Sequence, residues 1–206
     1  MKIPGEVLCL SRWDVESVGL SMADIVEATE KVFLAKGSGK TEMPPKLGIH
    51  TREDAFIHAM PAYVEPAEAV GLKWVAGYPS NTSANLPYIS GLIILNDPDT
   101  GLPLSVMDAT WITAMRTGAA TAVAARYLAR PGSRSLAILG CGVQGRSNLE
   151  ALMEVLKDLE RVLAYSTRAE SAQQFIRECQ ERYGLPCTLC ESPREAVYAA
   201  DVIVTA

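Results

Sequence analysis

Gly140-Cys141-Gly142-Val143-Gln144-Gly145 fits G-x-G-x-x-G, a spacing that can cradle a pyrophosphate. The first glycine permits a tight turn. The second lets the backbone approach the phosphates, and the third lets a helix pack closely on a strand. The apolar run Leu136-Ala137-Ile138-Leu139 precedes the loop, and Leu149, Leu152, Met153 and Leu156 recur after it at helical spacing. A second short strand follows at Val162 to Tyr165. Strand, glycine turn, helix and strand within about 30 residues make the motif specific. The free N–H groups of such a helix N-terminus suit an anion.

Further residues could carry chemistry. Ser166-Thr167-Arg168 stands at the tip of the second strand, where an acidic residue would bond the ribose 2′-OH of NAD. Two hydroxyls and a guanidinium suit a 2′-phosphate instead, so NADP is favoured over NAD. The plainer reading is a solvated loop that accepts either. Arg116 lies in angle with the apolar face of a long helix, where a guanidinium is costly unless paired. It could bind a substrate carboxylate, a cofactor phosphate, or an internal acid such as Asp108 or Glu42. The pattern alone does not choose.

Lys73 falls in the apolar strand Gly71-Leu72-Lys73-Trp74-Val75. Partial desolvation would lower its pKa toward the range useful for proton transfer. Alternation puts Leu72, Trp74 and Ala76 on one face and Lys73 with Val75 on the other, which slightly favours an ordinary lysine on a wet face. Lys46 and Arg52 flank another strand and could add positive charge. His50 and His58 have no supporting carboxylates, so no metal site is expected. Cys187-x-x-Cys190 lacks a second pair and reads as chance.

These residues need elements to position them. A short helix capped by Ser11 and a longer one, Met22 to Ala35, open the chain. Short strands follow at Leu47 to His50, Ala55 to Met60, Gly71 to Ala76, Gly91 to Leu95 and Leu104 to Met107, with a turn at Asn96 to Gly101. Their short links predict a largely antiparallel sheet. One long helix spans Ala109 to Ala129, and Pro131-Gly132 ends it. After the glycine loop come a helix near Ala169 to Tyr183, a strand near Cys187 to Cys190, a short helix near Arg194 to Ala199, and a strand at Asp201 to Thr205.

The expected fold is α/β, with an α+β domain over residues 1–130. A Rossmann-type NAD(P)-binding domain over 131–206 follows. Three or four strands are fewer than the about six of a full doubly wound domain, so a C-terminal portion is expected beyond Ala206.

The bulk numbers restrict the partners. Of 206 residues, 49% are hydrophobic and 21% charged, an ordinary globular balance. The net charge of −5 and the absence of a basic stripe argue against nucleic acid. No apolar run reaches the roughly 20 residues of a membrane helix. The N-terminal apolar run is too short for a signal peptide and Glu6 interrupts it. Five scattered cysteines fit a reducing cytoplasm.

Four segments together resemble the ornithine cyclodeaminase and mu-crystallin family. They are Met43-Pro-Pro-Lys46, Gly71 to Asn81, Thr100 to Asp108 with Ala114-Met-Arg-Thr117, and the Gly140–Gly145 loop. Their order matches along essentially the whole chain, and ordinary Rossmann proteins lack the second and third.

The resemblance implies hydride exchange between the α-carbon of a small amino acid, or its imine, and NAD(P). The outcome would be cyclodeamination or an alanine or imino-acid dehydrogenase activity. Lys73 would contact the substrate carboxylate and assist proton movement, and Arg116 would bind that carboxylate near the nicotinamide. Lys46 stands where ornithine cyclodeaminases usually carry arginine, which looks more like the alanine dehydrogenase branch; there an arginine placed like Arg52 also binds the carboxylate. Val143 and Gln144 would lie over the pyrophosphate, with Arg116 and Thr117 also on the cofactor side. Ser166, Thr167 and Arg168 would meet the ribose. The family's catalytic aspartate would lie beyond Ala206. The domain over residues 1–130 would be the substrate-binding and dimerisation domain of a homodimer, and a cytoplasmic location is expected. The alternative is a non-catalytic, NADP-dependent binding protein of mu-crystallin type.

Overall fold

A computed structural model describes residues 6–206. Two compact units emerge. One gathers the chain up to Leu20 with Lys31–Thr113, and the other gathers Ser21–Glu30 with Ala114–Ala206.

The first unit is built on a seven-stranded sheet. Its strands are β1 (Leu8–Leu10), β2 (Thr41–Glu42), β3 (Leu47–Arg52), β4 (Ala55–Val64), β5 (Ala69–Gly77), β6 (Ile89–Asn96) and β7 (Pro103–Asp108). The order is β1-β7-β6-β5-β4-β2, and β3 also pairs with β4. Every pairing is antiparallel except that of β1 with β7. The expected antiparallel sheet is present, with β1 and β2 added at its margins. These are three and two residues long, too short for alternation to register.

Strand β4 runs four residues past the expected Met60, through Pro61. Proline cannot donate to a ladder. Here the β3 pairing ends at Ala59 and the β2 pairing starts at Tyr63, so Pro61 falls in the gap between them. Helix α1 (Arg12–Ser17) begins with a capping box in which Ser11 and Asp14 bond reciprocally.

The second unit holds a four-stranded parallel sheet, order β10-β9-β8-β11. The strands are β8 (Ser135–Leu139), β9 (Arg161–Tyr165), β10 (Cys187–Leu189) and β11 (Val202–Thr205). Their order in space is third, second, first, fourth, the beginning of a doubly wound sheet. Helices α4 (Val143–Val155), α5 (Ala169–Tyr183) and α6 (Pro193–Tyr198) make the crossovers. Leu136, Ile138, Leu149, Leu152, Val162 and Phe175 form its core. Ala172, Phe175 and Cys179 recur at helical spacing and give α5 its buried stripe. Gly184, left-handed at φ 64°, ends that helix.

The compact units do not divide at Pro131. Helix α2 (Met22–Gly37) contributes its first half, and α3 (Thr110–Leu128) all but its first turn, to the second unit. Met22, Val26, Ala119, Ala122, Val123 and Ala151 form one buried cluster. At Gly118 a Cβ would stand 2.2 Å from the Ser147 carbonyl oxygen, so α3 and α4 meet backbone to backbone. That contact joins residues far apart in sequence, and no local pattern announces it. Among the described residues no helix is long and apolar enough to cross a membrane.

Candidate functional site

The three glycines of the loop have separate physical duties. Gly140 sits at φ 114°, and a Cβ there would be 2.1 Å from the Ala206 oxygen. At Gly145 a Cβ would lie 2.2 Å from the Gly140 oxygen and 3.2 Å from Ile138 Cγ2. Both positions are closed by the protein itself. Gly142 is different: nothing lies within 4 Å of its Cβ position. It precedes α4 with extended backbone, and no side chain caps the helix. Its carbonyl accepts from Arg146 N at 3.2 Å. The first turn of α4 carries no acidic residue, so no carboxylate side chain there competes for the helix N-terminus. Open space above a glycine at an uncapped helix start fits a pyrophosphate.

The loop is held by its neighbours. Gly140 N donates to Tyr165 O at 2.8 Å, joining the ends of β8 and β9. The Cys141 carbonyl accepts from Arg146 Nη1 at 2.5 Å and Ser171 Oγ at 2.7 Å. Arg146 is itself fixed by Glu178 at 2.5 Å. Arg146, Ser171 and Glu178 escaped the sequence reading, because this bracing links two helices. Burial pushes the Cys141 thiol pKa up, so the loop cysteine is packing and not a thiolate. Val143 is exposed and Gln144 half-buried at the start of α4.

Ser166, Thr167 and Arg168 follow β9. Ser166 Oγ accepts from Arg168 N at 3.3 Å, which turns the chain into α5. Thr167 and Arg168 are exposed.

On α3, Arg116 is exposed, while its angular neighbour Val123 is buried. The expected burial on the apolar face is therefore corrected: the buried residues of α3 are Thr113, Gly118, Ala119, Ala122 and Val123, and Arg116 is not among them. Partial loss of hydration still lowers the Arg116 pKa. Asp108, one internal partner considered for it, accepts instead from Thr110 N at 2.8 Å and Thr110 Oγ1 at 3.1 Å. Thr117, next to Arg116, is half-buried. Farther along α3, Arg126 and Tyr127 both engage Glu30 of α2.

In the first unit, Lys73 pairs with Met60 on β4 and Ile93 on β6. It is half-buried on the face of buried Val75, whereas Trp74 on the other face is 40% exposed. The covered side of β5 is thus the lysine side, contrary to a wet-face lysine. His58 pairs with Gly48 and Val75, so it shares the Lys73 face. Lys46 is exposed just before β3. Arg52 lies beyond a bulge, opposite Ala55, and its Nη1 donates to the Thr51 carbonyl. Leu47, Ile49, Trp74 and Leu92 occupy the opposite sheet face and are exposed. Among the described residues no group of three or more His, Cys, Asp or Glu could hold a metal ion.

A four-stranded parallel sheet with an open glycine loop at the start of α4 defines an α/β protein with a Rossmann-type unit. Residues 6–206 match the model of the ornithine cyclodeaminase/mu-crystallin family, and the chain belongs to that family. Alanine dehydrogenase of Archaeoglobus fulgidus is 42% identical over 200 residues, 97% of this chain and 60% of its own length. A Thermococcus litoralis Δ1-pyrroline-2-carboxylate reductase, solved with NADH and L-proline, superposes with a TM-score of 0.92 at 41% identity. That match covers 97% of this chain and 61% of the reductase. An archaeal alanine dehydrogenase dimer with bound NAD gives a TM-score of 0.89 at 41% identity, over 97% of this chain and 60% of that one. The chain therefore spans about three fifths of the length of these relatives.

Proposed function

We propose that this protein exchanges a hydride between the α-carbon of a small amino acid, or its imine, and a nicotinamide dinucleotide. The observation that carries the reading is Gly142, open above the uncapped start of α4 between two glycines that the fold itself closes. Gly142, Val143, Gln144 and Gly145 would hold the pyrophosphate, and the bound dinucleotide would supply the hydride acceptor. Family membership and relatives named as an alanine dehydrogenase and a pyrroline-2-carboxylate reductase support the chemistry.

The chain's own residues have the following proposed roles. Arg116, an exposed residue of α3 whose guanidinium is partly desolvated, binds a carboxylate. Lys46 or Arg52 is a further proposed carboxylate ligand. Fixing the carboxylate orients the α-hydrogen, a positioning effect. Lys73, on the covered face of β5, moves protons at the imine stage. Water attack on that imine gives a keto acid and ammonia. Attack by a substrate's own side-chain amine instead expels ammonia and closes a ring.

The finer cofactor choice is NADP over NAD, supported by exposed Arg168 and the hydroxyls of Ser166 and Thr167. The relatives solved with NADH and NAD make this the feature to titrate first. A second copy of the chain is the proposed occupant of the exposed apolar face around Leu47, Ile49, Trp74 and Leu92. An alanine dehydrogenase relative solved as a dimer supports that choice.

The test is a spectrophotometric assay with alanine and cyclic imines beside ammonia release from ornithine. Steady NAD(P)H change supports dehydrogenase chemistry, and ammonia without net NAD(P)H change supports cyclodeamination. Arg116→Ala should raise the substrate KM; unchanged KM and turnover would remove Arg116 from carboxylate binding.

A further inference from the structure

Two helices reach back to one carbonyl of the glycine loop. Arg146 Nη1, from α4, donates to Cys141 O at 2.5 Å, and Ser171 Oγ, from the first turn of α5, donates to it at 2.7 Å. Arg146 is itself set by α5. Its Nε and Nη2 donate to the Glu178 carboxylate at 2.5 Å and 3.4 Å, and its guanidinium carbon lies 6.0 Å from the centre of the Phe175 ring. Gln174 Nε2 donates to the same carboxylate at 2.8 Å. The preceding part of the loop is held from another side: Gly140 N and Cys141 Sγ donate to the Tyr165 carbonyl at 2.8 Å and 3.7 Å. The peptide between Cys141 and Gly142 is therefore the part of the loop that α4 and α5 set.

That peptide has two possible orientations. Its C=O and N–H lie in one plane and point in opposite directions, so holding the Cys141 oxygen on the α5 side aims the Gly142 N–H to the other side. Rotating the whole peptide by half a turn would carry Gly142 from φ −83° to a positive φ. Glycine tolerates both values, so Gly142 offers no resistance of its own to the flip. The flipped peptide would replace an N–H donor by a carbonyl oxygen beside the open Cβ position of Gly142. An anion is attracted by the first and repelled by the second. The residue type that leaves room for a ligand thus also leaves the peptide free to turn, and something else must choose its orientation.

We propose that Arg146 and Ser171, with Glu178 holding Arg146, are positioning residues that lock the Cys141–Gly142 peptide with the Gly142 N–H toward the pyrophosphate. The identity of the ligand rests on the dinucleotide reading proposed above. The brace touches no ligand and acts through the Cys141 carbonyl. Its two donors stabilise the binding-competent orientation, and they polarise the amide so that its N–H is a better donor. Without them the competent fraction falls, and the apparent affinity falls with it.

The test uses the full chain with Ser171→Ala, Ser171→Thr and Arg146→Gln. Alanine is a good helix former, so Ser171→Ala should leave the melt close to wild type. NADH and inorganic pyrophosphate are titrated separately by calorimetry. Ser171→Ala should weaken both about threefold and Arg146→Gln both about tenfold, the larger loss following from the charged donor. Ser171→Thr, which keeps the hydroxyl, should restore binding. In the free protein the Gly142 amide proton should move upfield in Ser171→Ala and return in Ser171→Thr, a signature that a general loss of packing would not produce. An unmoved Gly142 signal, unchanged affinities in Arg146→Gln, or a loss for NADH without a matching loss for pyrophosphate would overturn the proposal. Failure of the wild type to bind either ligand would overturn the dinucleotide reading, while the Gly142 signal would still decide whether the brace sets the peptide.

Discussion

Replacing Gly142 and Gly145 by alanine, one at a time, separates a glycine kept for a ligand from one kept for the fold. At Gly145 the new Cβ would meet the Gly140 oxygen at 2.2 Å. Ordinary contact begins at 3.4 Å, so α4 must move by roughly an ångström from the turn it packs on. Both partners are backbone, and no rotamer change relieves the clash. Overpacking of this kind costs about 1–3 kcal/mol, or roughly 2–12 °C in Tm for a chain of this size. At Gly142 there is nothing within 4 Å and the backbone is extended at φ −83°. A weaker N-cap and a stiffer unfolded chain act in opposite directions, so stability should change by less than about 1 kcal/mol. The same methyl group would stand where the pyrophosphate approaches, and NADH affinity should fall tenfold or more, about 1.4 kcal/mol. Thermal melts and NADH fluorescence titration measure the two quantities. Normal NADH binding by Gly142→Ala, or an unchanged melt for Gly145→Ala, would refute the division of labour.

Three other changes probe separate parts of the molecule. Arg168→Ala should weaken NADP about tenfold and leave NAD unaffected in parallel titrations; a clear NAD preference indifferent to the change would remove the 2′-phosphate argument. Asp201 accepts from Arg134 N at 3.0 Å, Ser135 N at 3.1 Å and Ser135 Oγ at 2.8 Å, and also engages Arg130. These bonds hold its carboxyl well below the usual range. Its contribution is full above the unfolded carboxyl pKa of about 4 and disappears as pH falls through the folded value. Asp201→Asn should therefore lower Tm at neutral pH, and the gap from wild type should close on acidification. Leu47→Asp, on the exposed apolar sheet face, should convert a dimer to a monomer in sedimentation, with the fold retained by circular dichroism.

Much of the second unit was legible from local pattern. A buried parallel strand is a short apolar run, and Leu136 to Leu139 lies within β8. The helix expected near Ala169 to Tyr183 is α5, Ala169–Tyr183. The G-x-G-x-x-G spacing located the loop, because backbone demands at a turn are recorded in glycines. The sequence could not rank those glycines. Only the tertiary structure closes Gly145 against Gly140 and leaves Gly142 open.

The sheet of the first unit was legible as strands but not as an environment. Alternation separates Lys73 from Trp74 without saying which face is covered, since that depends on what packs there. Arg116 met the reverse difficulty: its helical angle matched buried Val123, yet Arg116 itself is exposed, because burial along α3 depends on which segments pack there. The packing of the His58 ring on Gly48 was also invisible, because it depends on β3–β4 register. Local chemistry is thus written in residue type and spacing. Which groups meet, and which face water, is decided by contacts between segments distant in the chain.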